Sequence, residues 1–349
     1  MRGTSARFTG PPIPAGSARR RQNQRMKGKL TSGGTTVVAT RPAIEQHLAA
    51  GEFFWLDLDG VDDEAHDFLL EVVHIHHLAV DDMQHFGQRP KIEDYEGFTY
   101  MVVHGASDDA ISTDEVHFVF AEHFVVTVHR GPCAAMSKVQ ERIAHRRPSD
   151  LESPQLALIY LIIDQLVDSF FPMLDKFDGQ IDELEDAILV KPTDAQLGTL
   201  FTMKRSLITI RKVITPQRDM FASVTSGVVE LPGVSSEGLR YMRDIYDHLI
   251  RMSDLVDGYR DLLSGVMDTH LSTVSNRLNV VMKQLTIIAT VFLPLSFLTG
   301  FFGQNFSFLV AHITGRVPFY VFAIGLELVS AAALLYLFRK RGWLGGPTT

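Results

Sequence analysis

The apolar positions divide the chain into three regimes. From about residue 35 to 145, short β-branched and aromatic runs alternate with amphipathic stretches. "TTVVAT", "FFWLDLDG", "FTYMVVHG", "VHFVFAE" and "FVVTVH" predict strands, and "RPAIEQHLAAG" and "VDDEAHDFLLEVVHIHH" predict helices. This mixture predicts an α+β unit, a mixed sheet with flanking helices. From Ser153 the period becomes helical. Pro154 opens one helix that ends before Lys191-Pro192, a second covers about Thr193 to Ser226, and a third begins after Pro232-Gly233. In the third, Met242, Ile245, Leu249, Met252, Val256, Tyr259, Leu263 and Val266 keep 3-4 spacing, a heptad seam. Asp247, Asp254, Asp261 and Asp268 recur every seven residues on the side away from it. No proline intervenes before Pro294, so one helix is predicted from about Ser235 to Phe302, roughly 100 Å long, with a kink at Pro294.

The third regime is strongly apolar. Leu285 to Phe302 is 18 residues without a charge, and Val317 to Phe338 is 22 residues with one, Glu327. Both approach the ~20 residues that span a bilayer. The connection, 303–316, is 14 residues, so the two form a hairpin. Arg277 and Lys283 precede the first span, and Arg339, Lys340 and Arg341 follow the second, against Arg316 and His312 in the connection. That bias predicts both termini on the cytoplasmic side. Glu327 is expected either to accept a hydrogen bond from a Ser or Thr of the first span or to couple protons. Asn279, Met282, Leu285, Thr286, Ala289, Leu293, Ser296 and Gly300 line one stretch of the first helix, polar toward its ends with bulky Met282 and Leu293 between. Such a stripe suits a narrow pore wall or close helix packing. One hairpin cannot enclose a conduit, so the pore reading requires several copies around an axis. The aspartate row then either faces solvent or faces that axis. At the end of the first span Gly303 lets the chain leave the helix. Gln304 and Asn305 offer amide oxygens suited to a hydrated cation such as Mg2+, or form a plain polar cap.

Charge and composition narrow the classes. The net charge is −8, yet residues 1 to 44 carry nine Arg or Lys and no acid. Residues 1–34 read as a disordered basic tail without the apolar core of a signal peptide, and Met26 is a candidate start. The lone Cys133 excludes an intrachain disulfide framework and a multi-cysteine zinc site, and fits a reducing compartment. No phosphate loop, His-Glu-x-x-His or nucleophile elbow is present, so no enzyme is expected. No organic cofactor or nucleic-acid partner is implied. "HIHH", His74 to His77, with Asp81, Asp82 and His85 supplies ligands for Zn2+, Co2+ or Ni2+, although neighbouring positions on a short element point different ways.

"SNRLNVVMKQLTIIATVFLPLSFLTGFFGQNF", Ser275 to Phe306, resembles the CorA family of divalent-cation channels. Asn279, Met282, Lys283, Leu285, Thr286, Pro294, Gly300, Gly303 and Asn305 stand at the family's motif positions. "YMRDIYDH" and "VDDMQHFGQRPK" are also similar to family segments. The resemblance implies a funnel-shaped homopentamer in a cell membrane and a selectivity ring from Gly303, Gln304 and Asn305. It also implies regulatory Mg2+ held between subunits by Asp82 and Asp244, with Asp81 nearby, as well as Mg2+ as cargo. Gln304 departs from the usual Gly-Met-Asn and leaves a zinc-transporting, proton-coupled branch as the alternative. The implied organisation is a tail (1–34), a cytoplasmic domain (35–150), a long-helix stalk (151–284), the pore helix (285–302), an external loop (303–316), a second span (317–338) and a basic end (339–349).

Overall fold

Seven strands form one mixed sheet in the computed structural model, which describes residues 25–107, 112–145, 154–229, 231, 234, 236–304, 307–312 and 315–343. They are β1 (Arg25–Ser32), β2 (Thr35–Thr40), β3 (Phe54–Asp59), β4 (Lys91–Tyr95), β5 (Phe98–Ala106), β6 (Thr113–Phe120) and β7 (Phe124–His129), in the order β2-β1-β3-β7-β6-β5-β4. The β3–β7 pair is parallel, with Leu56 opposite Val126, and every other pair is antiparallel. The chain separates into two units, one of residues 1–184 and 197–265, the other of 185–196 and 266–349.

The expected basic tail needs correction. It gives way at Arg25 to β1, which pairs with both β2 and β3. Met26 and Leu30 are buried core residues, and lysines between them mask the alternation in sequence. Gly28 is required there, because a Cβ would stand 2.3 Å from the Asp57 carbonyl oxygen. Residues 1–24, Asn305 and residues 344–349 of the basic end lie outside the described residues. The second expected helix is also shorter. It divides into α2 (Asp63–Glu71) and α3 (His77–Gln84), separated at His74, whose φ is 62°. Asp62 caps α2 by accepting from Ala65 N at 2.9 Å.

Helix α1 (Arg41–Ala50), α2 and α3 cover one sheet face, where Ile44, Phe68, Leu69, Val80 and Met83 meet Leu56, Tyr100 and Val126. Two further helices, α4 (Ala134–His145) and α5 (Pro154–Asp168), pack together, and α5 lies on β5. The approach is close at Gly105, where a Cβ would meet Leu166 at 2.9 Å. Strand β5 is buried along its whole length, as covering both faces requires. Helix α6 (Phe170–Val190) and α7 (Asp194–Thr225) follow. Gln217 of α7 is fully buried; its Oε1 accepts from His104 N at 2.8 Å and its Nε2 donates to His104 O at 3.2 Å.

Helix α8 runs unbroken from Gly238 to Phe302, 65 residues with Pro294 inside. Its seam is buried as the spacing requires, from Met242 and Ile245 at 0% exposure to Val266 at 2%. Short α9 (Ser307–His312) and α10 (Arg316–Pro318) precede a π-helical turn, Phe319–Gly325, and α11 (Leu326–Lys340). Three helical stretches among the described residues are long and apolar enough to cross a membrane: Pro154–Val190, Gly238–Phe302 and Arg316–Lys340. The apolar window of the first is 50% buried within the chain, whereas those of the other two are 0% and 6% buried. The first is domain core; the other two have almost no intrachain cover.

A polar network crosses the sheet at β3 and β7. Asp57, 6% exposed, accepts from Thr127 Oγ1 and Gln140 Nε2, both at 2.7 Å, and lies 3.4 Å from His129 Nε2. Trp55 Nε1 donates to the same Thr127 hydroxyl at 2.9 Å. Burial opposes a charge on His129, but Asp57, the Gly131 carbonyl and Asp59 more than offset it, and its pKa is raised. A raised folded-state pKa adds stability that is complete below the unfolded value and fades as pH climbs through the folded one. His129→Gln is therefore expected to lower stability by about 1–2 kcal/mol near pH 6 and by much less near pH 9. Thermal unfolding at the two pH values measures it; an equal loss at both would mean that the His129 charge contributes nothing.

Candidate ion pathway and acidic clusters

The first apolar span occupies the last quarter of α8. Its proposed wall residues, Asn279, Met282, Leu285, Thr286, Ala289, Leu293, Ser296 and Gly300, are all exposed within the chain. Two of the span's three threonines turn their hydroxyls back onto the helix. Thr286 Oγ1 donates to Met282 O at 2.7 Å, and Thr299 Oγ1 lies 2.9 Å from Leu295 O. That local bonding is how a hydroxyl is satisfied where water is absent.

Contacts at two levels hold the two spans antiparallel. At the basic end, Lys283 Nζ of the first reaches Gly342 O beyond the second at 3.4 Å, where Trp343 folds back onto Phe338 of its own helix with centroids 5.6 Å apart. Toward the other end, Thr299 Oγ1 lies 2.6 Å from Glu327 Oε1. Glu327 thus takes the hydrogen-bonded place expected for it, two residues past the π turn. Gly303 closes α8 with its N–H bonded to Thr299 O at 2.9 Å, and Gln304 N follows to Phe301 O at 3.3 Å. The reason for glycine there differs from the expectation. Its φ is not left-handed; instead a Cβ would stand 2.9 Å from Thr299 O.

The row Asp247, Asp254, Asp261 and Asp268 is exposed throughout. Asp247 and Asp254 border a shallow, open groove with Arg251 and Leu262, and Asp261 pairs with Arg260 at 3.2 Å. Asp81 and Asp82 are adjacent on α3 and diverge. Asp81 is exposed, 3.5 Å from His85 Nδ1, whereas Asp82 turns inward to Lys91 Nζ at 2.6 Å and Gln88 Nε2 at 3.4 Å. Asp244 is exposed on α8 and accepts from Tyr160 OH at 2.9 Å. The histidine run does not converge on a metal. His76 caps α3 and makes tilted ring contacts with His77 and Tyr95, and His85 Nδ1 donates to Asp81 O at 2.8 Å.

A group that the sequence reading passed over lies beside Asp244. Asp164 and Asp168 of α5 and His248 of α8 bring ligand atoms within 4.8 Å of one another, and His248 Nδ1 is 2.8 Å from Asp168 Oδ1. Burial, and then repulsion from Asp168, pushes the Asp164 carboxyl up to about 6. Two carboxylates and an imidazole form a donor set for a divalent cation. Its sequence trace is a pair of i, i+4 spacings, Asp164–Asp168 and Asp244–His248, which place each pair on one helix face.

Known proteins share this architecture. A profile of the family described as CorA-like Mg2+ transporter protein matches residues 50–340. The chain belongs to this CorA family. It is 32% identical over 291 residues to the putative metal ion transporter YfjQ of Bacillus subtilis, covering 83% of this chain and 90% of that one. It is 33% identical over 274 residues to the cobalt/magnesium transport protein CorA of Thermotoga maritima, covering 77% of each. The complete CorA structure from Methanocaldococcus jannaschii superimposes with a TM-score of 0.78 at 21% identity, covering 92% of this chain and 99% of that one. The full-length CmaX structure does so with a TM-score of 0.70 at 19% identity, covering 90% and 97%. The CorA profile spans both apolar helices, α3 and the acidic group on α5 and α8.

In this CorA-family chain the Thr299–Glu327 contact ties the two spans together inside the apolar segment. Glutamine can donate to Thr299 and keep the bond, whereas valine at 299 leaves the carboxyl without it. Thr299→Val is expected to destabilise the hairpin by about 1 kcal/mol, with Glu327→Gln near wild type. Thermal melting of the full-length protein in detergent tests this, and a larger loss for Glu327→Gln than for Thr299→Val would contradict the assignment.

Proposed function

We propose that the chain is a passive channel for divalent cations, Mg2+ first and Co2+ with it, working in a membrane with both termini cytoplasmic. The observation that carries this is the uncharged end of α8. Its polar-tipped stripe from Asn279 to Gly300 is exposed in the chain, in a CorA-family sequence. The Thermotoga maritima relative is named as a cobalt/magnesium transport protein, and cargo of that class suits amide and hydroxyl oxygens. The working assembly in this reading is a homopentamer. The stripe lines its axis, Gly303, Gln304 and Asn305 ring the outer mouth, and lipid covers the outward surfaces. The aspartates from Asp247 to Asp268 then line the cytoplasmic approach. A divalent ion entering a negative interior gains roughly 4.6 kcal/mol per 100 mV, so no other energy source is needed.

Regulation in this reading belongs to carboxylates shared between subunits, Asp81 and Asp82 of one and Asp244 of the next. Asp82 is partly compensated by Lys91, which it shares with Glu93, while Asp81 and Asp244 are the more exposed of the three. Bound Mg2+ removes their repulsion and favours the closed arrangement; when internal Mg2+ falls, the interface loosens. The zinc-transporting alternative is not better supported, since His76 of the "HIHH" run is engaged in capping α3 and in tilted ring contacts with His77 and Tyr95.

Flux into proteoliposomes tests the reading. An inside-negative potential is expected to drive Mg2+ entry without a pH gradient, and Asn305→Ala to reduce it by about tenfold or more. Zn2+ entry that requires a pH gradient, with Mg2+ immobile, would overturn it. Asp244→Asn is expected to raise the cytoplasmic-side Mg2+ that halves the flux by roughly threefold to tenfold. An unchanged inhibition curve would remove Asp244 from the regulatory set.

A further inference from the structure

A second charged feature has the opposite sign. In a chain of net charge −8, one groove of about 370 Å³ is walled by five cations, Arg89, Lys204, Arg211, Lys212 and Arg260. They come from three places, the segment after α3, helix α7 and helix α8. Asp257 lies 3.2 Å from Arg211 and 3.7 Å from Arg260, and Asp261 is 3.2 Å from Arg260. Among the described residues, no carboxylate is within ion-pair distance of Arg89, Lys204 or Lys212. The floor between the cations is apolar. Leu207 and Val256 are buried, Pro216 is half-buried, and Ile208 is 51% exposed despite its branched aliphatic side chain.

Each part of this arrangement restricts what it can bind. Convergent Arg and Lys side chains with spare donors select a multiply charged anion, and phosphate oxygens match both the guanidinium fork and the ammonium point charge. An apolar floor contributes nothing to a bare inorganic anion; it needs a ligand with a ring or hydrocarbon body. The volume is that of a small-molecule site, too small for a folded partner's helix, which is ~10 Å across with its side chains. We infer that this groove is a binding site for an organic polyphosphate of the nucleoside triphosphate class, with phosphates on Arg89, Lys204 and Lys212 and the ring on Leu207, Ile208 and Val256. The site lies within one unit of one chain, and its occupancy does not depend on the ion pathway.

The test is displacement of a fluorescent ATP analogue from the full-length protein in detergent, with EDTA present so that the divalent-cation sites do not contribute. ATP is expected to compete with a dissociation constant of ~10–100 μM. Inorganic tripolyphosphate, adenosine and glycerol 3-phosphate (a lipid headgroup mimic) are each expected to be at least about tenfold weaker. Lys204→Ser with Lys212→Ser is expected to weaken ATP by about tenfold or more. Ile208→Glu, at a half-exposed position that folding does not rely on, puts a negative charge on the floor and is expected to abolish displacement, with thermal unfolding unchanged. No competition by about 5 mM ATP would overturn the inference. So would full binding in Ile208→Glu, tripolyphosphate equal to ATP, or glycerol 3-phosphate equal to ATP, the last assigning the groove to lipid headgroups.

Discussion

The constraint on which the molecule depends is the uncovered surface of α8. Up to Val266 the helix buries one seam like any amphipathic helix in water. The seam continues to His270, 4% exposed and 3.3 Å from Thr193 O; farther along, the helix leaves apolar surface uncovered, with Leu285 59% exposed, Leu293 75% and Phe297 69%. Apolar surface left in water costs about 25 cal/mol per Å², so a run of such residues requires another solvent or another copy. The local chemistry agrees with a dry environment. Hydroxyls bond to their own helix, the single carboxyl has a partner, and basic residues gather at one end of the hairpin. The same helix therefore presents aspartates where water reaches and amide and hydroxyl groups where it does not. An ion path needs that order, because a carboxylate in the dry segment would cost more than a neutral dipole.

The sheet serves the acidic edges by fixing the segments that carry them. Glu115 on β6 accepts from Gly87 N at 2.6 Å and Gln88 N at 3.1 Å, and lies 2.9 Å from His117 Nε2. His117 in turn receives the Tyr100 hydroxyl at 2.6 Å. Burial resists the Glu115 charge, yet these donors hold its pKa below the usual value. The effect is to pin the chain between α3 and β4, and so to set Asp82 against Lys91 on one side and Arg89 at the basic groove on the other. Within a few residues, the same anchored segment sets an acid against a lysine and places an arginine at the groove. The aspartates on α5 lack such compensation. Asp164 and Asp168 crowd against His248, and burial first, then repulsion from Asp168, raises the Asp164 pKa despite the charge of Arg142 nearby.

What sequence alone reveals follows from how each contact is made. The heptad seam, five of the seven strands and both spans were legible because a single buried face imposes a period on a continuous segment. Strand β1 was not, since its lysines break the apparent alternation and its partner β3 is on the far side of α1. Strand β4, "KIEDY", is an edge strand with one antiparallel neighbour and no fully buried residue, so nothing forces an apolar pattern on it. Glu327 could be assigned a partner type in advance, because an apolar segment offers so few choices. The acidic group on α5 and α8 and the basic groove are of another kind. Asp164 and His248, or Arg89 and Arg260, are brought together only by the packing of segments far apart in sequence. Their side chains read locally as ordinary solvated faces. Periodicity reports which side of a helix is buried; it carries no information about which polar side meets which, and that is where the candidate sites are made.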